Sequence, residues 1–417
     1  MNDNAIIDHI GANGNGVIKS LHGVLYVPFT LPRERVEIEV HGKYAKLLTL
    51  KEKSPERIDA LCQHFGECGG CALQHWQSDV YRVWKRQLVV DAIQKYGLDV
   101  VVSPLIECQP YSRRRMTLTA SMTPQGYRVG FNRHLSHEIV AIEECPVSRP
   151  EIMSKLDDIR RLCALLSHHV KRFQITITHV ENGLDVALNG FFMRQESLRQ
   201  KMVYVALSCG ITRLSVEGEV LVEREKPLIC FDDICVEFPP GGFLQATFEA
   251  ENIMGNIILP DVKKAKNALD LFSGIGTFTF RMAKKTNVHA VENDEQALAN
   301  LERAVRFAIG LKPVTCEKRD LFRCPLSVRE LECFDYVVFD PPRAGAEQQV
   351  RELARATVPR VVAISCNPIT FARDLSLLIA GGYTVERIVP IDQFLWSPHV
   401  EIIAVLSKRK AKANWKL

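Results

Sequence analysis

The chain has 417 residues, 47% hydrophobic and 24% charged, the balance of a soluble globular protein with more than one core. Its net charge of +4, from 53 Lys and Arg against 49 Asp and Glu, is too small to announce a nucleic-acid partner by itself. No apolar run approaches the roughly 18 residues of a membrane span, and the first residues lack the basic and apolar regions of an export signal.

Thirteen cysteines in such a chain argue for a cytoplasmic, reducing compartment, where thiols bind metal or do chemistry, and against a secreted disulfide framework. Residues 1–57 alternate apolar and polar positions, broken by Gly11, Gly14, Gly16, Gly23, Pro28 and Pro32. Short strands at 24–27 and 35–40 predict a small β-barrel. Next, Cys62, Cys68 and Cys71 put three thiols close together, with Gly69 and Gly70 letting the loop wrap a metal centre. A zinc ribbon would need a second Cys-x-x-Cys pair, so an iron–sulfur cluster is expected. Cys145, followed by Pro146, is the best fourth ligand; Cys108 competes for that place, and His64 or His75 would complete a zinc site instead.

A helix is predicted over 81–96, with Trp84, Leu88, Ile93 and Tyr96 on one face. Residues 114–238 show short strand signals with a helical interlude at 151–166. Between Leu105 and Leu135 five arginines (Arg113, Arg114, Arg115, Arg128, Arg133) meet one acid, Glu107, with Tyr111, Tyr127 and Phe131 among them. Arginines interleaved with aromatics suit phosphate contacts and base stacking.

From about 243 strand and helix alternate. Buried-strand runs at 267–272, 287–292, 334–340 and 360–365 predict a parallel sheet, whose ligands bind beyond the carboxyl ends of its strands. Gly274 and Gly276 form a loop after the first strand, and Glu292, ending the second, can accept both hydroxyls of a ribose. The loop lacks the third glycine that cradles a pyrophosphate, which favours S-adenosylmethionine over NAD. Asp340-Pro341-Pro342-Arg343 holds an acid rigidly at the sheet edge. Cys366, in Ser365-Cys366-Asn367-Pro368, stands where a helix begins, a place that lowers a thiol's pKa and suits a nucleophile. Glu401, opening an apolar strand, reads as an edge carboxylate or as a positioned base. From Ser407 the tail has five Lys and Arg and no acid, and is expected to be solvated.

Together these motifs resemble the uridine-C5 RNA methyltransferases that use S-adenosylmethionine, and most closely the 23S ribosomal RNA branch that carries a TRAM domain and an iron–sulfur cluster. The resemblance covers nearly the whole chain. It implies an α/β protein in three parts: an OB-like, RNA-binding barrel at 1–57, a central α+β iron–sulfur and RNA-binding domain at 58–240, and a Rossmann-like methyltransferase domain at 241–417. It implies a cofactor pocket at Gln245, Phe272, Thr277, Glu292, Asp320 and Asp340. The nucleophile is implied to be Cys366 and the proton-abstracting base Glu401, with a [4Fe-4S] cluster on Cys62, Cys68, Cys71 and Cys145. The expected substrate is 23S rRNA, with tRNA the alternative, and the expected enzyme is a monomer with no membrane partner. Where relatives tend to carry Phe-Pro and Thr before the His-x-Glu, this chain has Phe394-Leu395-Trp396-Ser397-Pro398.

Overall fold

The computed structural model describes residues 2–20, 23–166 and 170–408, so the basic tail lies outside the described residues beyond Lys408. Its largest sheet has eight strands. Val314–Lys318, Asn287–Glu292, Asn267–Leu271, Tyr336–Phe339 and Arg360–Ser365 run parallel in that spatial order. Glu401–Ser407 follows, antiparallel to both Arg360–Ser365 and Thr384–Asp392. The parallel strands read as continuous apolar runs because both faces are covered. Leu269, Leu271, Val337, Phe339, Val361 and Ala363 pack under the helices Glu347–Arg355 and Pro368–Ala380. The alternate residues Ala268, Tyr336, Val338, Val362 and Ile364 pack under Phe248–Val262 and Thr279–Ala283.

The expected boundary at 240/241 is crossed by this packing. Helix Ser78–Gln94 buries Val89, Ala92 and Ile93 in the core of this sheet, and Ile106–Glu107 adds the eighth strand, parallel to Ile391 and Asp392. The helix starts before residue 81, and its buried face is Tyr81, Lys85, Val89, Ala92 and Ile93, while Tyr96 is exposed. A fully buried lysine hides that face from an apolar count, because its ammonium is satisfied internally by an acid far along the chain.

The central region holds a seven-stranded sheet, in the order Ile139–Ala141, Gly126–Asn132, Arg115–Thr123, Arg172–Val180, Gly183–Asn189, Arg213–Val216, Glu219–Glu223. The helical interlude is two helices, Pro150–Met153 and Leu156–Ala164, and a further helix, Glu196–Ser208, had no counterpart in the expectations. Cys230 and Cys235 face each other across the hairpin Leu228–Phe231/Ile234–Glu237 and are disulfide-bonded, a pairing the sequence had not suggested.

Among the described residues, Asn2–Ile6, His9–Ile10, Gly16–Ser20, Gly23–Val27, Arg35–His41 and Tyr44–Glu52 form a six-stranded sheet around Ile7, Ile18, Val27, Val36, Ile38 and Ala45. The three regions meet where Ile10 and Leu31 pack with Ala72, Leu73, Trp76 and Tyr81, against Leu395 and Trp396 of the eight-stranded sheet's last loop.

Candidate active site and thiol cavity

The glycine loop is locked in place by the next strand. Phe272 leaves its strand with φ 61°, and Gly274 and Gly276 continue at 54° and 98°, a left-handed path that side chains resist. A Cβ on Gly276 would also sit 2.5 Å from the Phe280 ring. Glu292 accepts from the backbone N–H of Gly274 (2.9 Å), Asn293 (2.6 Å) and Asp294 (2.8 Å). A carboxylate has about four acceptor positions, so these bonds leave little capacity for both ribose hydroxyls, and the expected role of Glu292 is joined by that of a loop clamp. Asp320 accepts from the N–H groups of Phe322 (3.0 Å) and Arg323 (3.3 Å), which places the Phe322 ring 5.5 Å from that of Phe272. Thr277 lies half-buried in the same loop.

Beneath the loop, Asp270 is buried and accepts from Thr279 Oγ1 at 2.6 Å. Burial, opposed by that bond and reinforced by Asp340 and Glu292, pushes its carboxyl up to about 7. Asp340, just past Tyr336–Phe339, accepts from Gln245 Nε2 at 2.6 Å and is likewise pushed up to about 7 by burial.

Strand register brings the expected nucleophile and base together. Arg360 pairs with Ser407 and Ser365 with Ile402, so continuing the antiparallel ladder by one residue sets Cys366 opposite Glu401. Asn367 then caps the helix Pro368–Ala380, accepting from Ile369 N at 3.1 Å, while its own amide donates to the Arg343 carbonyl at 3.1 Å. The Asp-Pro-Pro-Arg turn is thereby docked beside Cys366. Arg343 also reaches His399 Nδ1 at 3.2 Å.

The expectation of a depressed thiol pKa at Cys366 is overturned. Burial, then the charges of Glu401 and Asp340, push it up to about 12, with Arg343 opposing. A helix terminus contributes a fraction of a charge, too little against two nearby carboxylates in a water-poor site. Glu401 itself is raised well above the usual carboxylate range by burial and by Asp340, while a bond from Gln393 works the other way. Gln393 had no place in the sequence reading, and only the register of the last hairpin could have pointed to it.

The basic surface expected from 105–135 is divided: Arg114 turns inward, while Arg128 and Arg133 stay at the surface beside an exposed acid. Arg114 is buried, pairs with Glu251 and donates from Nε to the Gln245 carbonyl at 3.0 Å, so it braces the active site. Arg128 and Arg133 pair with Glu138, which lies just beyond the window that was counted. Tyr127 donates to the Leu166 carbonyl at 3.2 Å, and Phe131 lines an internal cavity. A charge count over a stretch of chain misses partners supplied by other stretches.

That cavity, of about 350 Å³, is lined by Cys62, Cys68, Cys71 and Cys145 together. Cys108 is elsewhere, under Thr247, whose Oγ1 donates to its Sγ at 3.6 Å. His64 lines the cavity, but its Nε2 accepts from Glu143 N at 2.9 Å; His75 lies outside the lining. Burial pushes the Cys68 and Cys71 thiols up to about 11 and about 12, with the other thiols of the set adding to the rise. Arg113 faces Cys145 and Cys71. Among the described residues no three ligand side chains stand close enough to hold a metal ion as placed. The donor set still fits a thiolate-bound group: four cysteines line one cavity beside a guanidinium, and thiolates crowded there would gain from a shared cation.

A parallel sheet with a glycine loop, acids at the ends of neighbouring strands and a Cys–Glu pair at its carboxyl end has the ligand crevice of an enzyme that uses a nucleoside cofactor. Residues 233–409 match the tRNA (Uracil-5-)-methyltransferase family. Over 402 residues the chain is 53% identical to a protein named an uncharacterized RNA methyltransferase in Brucella suis biovar 1, covering 96% of this chain and 97% of that one. The 23S rRNA (uracil(1939)-C(5))-methyltransferase of Shewanella denitrificans is 27% identical, over 96% of this chain and 94% of that one. In fold, the tRNA (uracil-54, C5)-methyltransferase of Pyrococcus abyssi, solved with S-adenosyl-L-homocysteine, superposes with a TM-score of 0.75 at 24% identity, over 97% of this chain and 99% of that one. The chain belongs to the RNA methyltransferases.

Proposed function

We propose that this enzyme methylates C5 of a uridine in 23S rRNA through a covalent adduct on Cys366. The observation that carries the mechanism is the ladder register that puts Cys366 opposite Glu401 at the sheet edge where Asp340 also lies. Uracil C5 is a poor nucleophile. Addition of the Cys366 sulfur to C6, its thiol proton passing to water, makes an S–C6 bond and moves the electron pair to C5. S-adenosylmethionine supplies the methyl, which C5 takes with release of the thioether. Glu401 then removes the C5 proton, and the returning electron pair expels Cys366 as thiolate. The target base has to leave its stack to reach such an edge. Raised pKa values at Cys366, Asp340 and Glu401 together are the mark of a site where protons move.

The cofactor lies along Gln245, Phe272, Thr277, Glu292, Asp320 and Asp340 in this reading, and Cys62, Cys68, Cys71 and Cys145 hold a [4Fe-4S] cluster. Residues 1–57 act as an RNA-gripping barrel, 58–240 as the cluster-bearing domain and 241–417 as the methyltransferase, although helix Ser78–Gln94 serves the last of these structurally. The enzyme works as a cytoplasmic monomer; among the described residues no helix is long and apolar enough to cross a membrane. Support for ribosomal RNA is the whole-length relative named for it. Transfer RNA is the second reading, favoured by the description of the family matched at 233–409. Incubating the protein and methyl-labelled cofactor with total RNA from a strain lacking its gene should label one or a few uridines of 23S rRNA. Label confined to tRNA would replace the first reading by the second.

A further inference from the structure

Glu401 is fully buried, yet its two oxygens differ. Oε2 accepts from Gln393 Nε2, while Oε1 has no partner among the described residues. The Gln393 amide is itself pinned on every side. Its Oε1 accepts from Ala246 N at 3.2 Å, and its Nε2 also donates to Gln245 Oε1 at 3.1 Å. Gln245 in turn spends its amide nitrogen on Asp340. The backbone N–H of Ala246 demands an oxygen and the carboxylates demand N–H groups, so only one orientation of each amide satisfies the whole row.

The backbone on both sides of Gln393 is anchored as well. Asp392 pairs with the buried Lys85 and accepts from the Tyr81 hydroxyl at 2.8 Å, and Lys85 also donates to the Phe394 carbonyl at 2.8 Å. Beyond it, the Trp396 carbonyl accepts from Ala72 N and Leu73 N at 2.9 and 3.1 Å. A glutamine held this firmly, with its donor on one oxygen of a buried carboxylate, is arranged to fix that carboxylate's rotation.

We infer that Gln393 is a positioning residue for proton abstraction: it occupies Oε2 of Glu401 and leaves Oε1 as the oxygen that takes the proton from C5. The inference rests on the covalent reading above. The titratable groups facing Glu401 are Asp340, from the Asp-Pro-Pro loop, and Cys366, from the adjacent strand, with Arg343 facing Cys366 and touching His399. Burial and Asp340 both disfavour the charged carboxylate, and the Gln393 donor favours it. Removing the donor therefore moves the ionisation of Glu401 to higher pH.

The test compares wild type, Gln393→Met and Glu401→Gln, following methyl-labelled RNA–protein adduct on denaturing gels and turnover from pH 5.5 to 9. Methionine keeps the length of the side chain and removes both polar atoms. Gln393→Met should slow turnover roughly 10- to 100-fold, the range expected for a lost hydrogen bond to a charged group. It should accumulate methyl-labelled adduct, raise the pH of half-maximal turnover and leave KM for RNA within about twofold. Should Gln393→Met not fold, Gln393→Asn, which withdraws the donor by one methylene, should show the same rise in smaller measure. An unchanged pH midpoint with no adduct in the folded variant overturns the positioning role. Glu401→Gln separates the two levels: if it accumulates methylated adduct while the Gln393 variant does not, only the role of Gln393 is lost. If Glu401→Gln itself gives no adduct, the base assignment beneath it has failed.

Discussion

At the catalytic edge each site residue follows a strand whose position is set by hydrogen-bonded neighbours on both sides. Asp270, Glu292, Asp340 and Cys366 lie within one residue of the carboxyl ends of four adjacent parallel strands, and Glu401 opens the antiparallel strand beside them. Around the thiol cavity the four cysteines instead sit on loops, held by single contacts such as Gly69 N to the Asn132 carbonyl (2.9 Å) and Ser148 N to the Cys145 carbonyl (3.0 Å). A sheet positions side chains by repetition, so the active site is specified before any ligand arrives. Loops position thiols only as well as their own few bonds allow, and a bound centre can contribute much of the order. The two sites should therefore respond differently to the loss of one residue.

The largest effect is expected at Cys366. Cys366→Ala should abolish methylation, by roughly 10³-fold or more, because no other group on this edge can activate C5. Folding should be preserved, since the thiol is half-buried at a strand end. Tritium release or label transfer to RNA checks the first part and thermal unfolding the second. Retention of wild-type turnover would remove the covalent mechanism.

At the cavity the order reverses, with structure lost first. Anaerobically purified protein should carry about four irons and four sulfides per chain, as a cubane on four thiolates requires. Cys145→Ser should bleach it and lower the melting temperature, and Cys108→Ser, whose thiol is bonded to Thr247, should keep the colour. Chelation of the metal should act like Cys145→Ser on stability. Stoichiometric zinc without sulfide is the result that defeats the cluster.

A smaller effect is expected at Glu292, where the sheet and the ligand share one carboxylate. Glu292→Ala should weaken binding of S-adenosylhomocysteine on the order of 10- to 100-fold, through lost charge-assisted bonds and a loosened glycine loop. RNA affinity should hardly change. Glu292→Gln, which keeps one acceptor oxygen for the loop N–H groups, should retain part of the affinity; equal losses in both variants would mean that the loop clamp contributes nothing to binding.

These contrasts also explain what could be read from the sequence. Asp340, Cys366 and the Gly274–Gly276 loop were legible because a parallel sheet puts its ligand site after its strands, and apolar runs show where strands end. Glu401 stayed ambiguous on its own, since only the pairing of Ser365 with Ile402 shows that it faces Cys366. Lys85, Arg114 and Gln393 were misread or missed for a common reason. Their partners Asp392, Glu251 and Gln245 lie far away or across a hairpin, and local patterns carry no record of such pairs. The thiols were legible as a group by spacing, and Cys145 by its proline, but nothing local could tell that Cys108 packs under Thr247.

The smallest effect tests how far the catalytic edge is kept poised at the expense of stability. Asp340 is half-buried beside Glu401, and its carboxyl is raised from an ordinary 3.8 to about 7. An acid whose pKa is higher folded than unfolded binds its proton more tightly in the native state. Its contribution to stability is fully present below about pH 4 and is lost as pH rises through 7. Asp340→Asn removes the titration while an amide oxygen can still accept from Gln245. The variant's melting temperature, compared with wild type, should therefore gain a few degrees steadily between pH 4 and 7 and then level off. Methyl transfer should meanwhile fall, because the lost charge belongs to the site. A difference in melting temperature that stays flat with pH would mean that Asp340 is ionised throughout, and that the edge is stabilised by its carboxylates rather than strained by them.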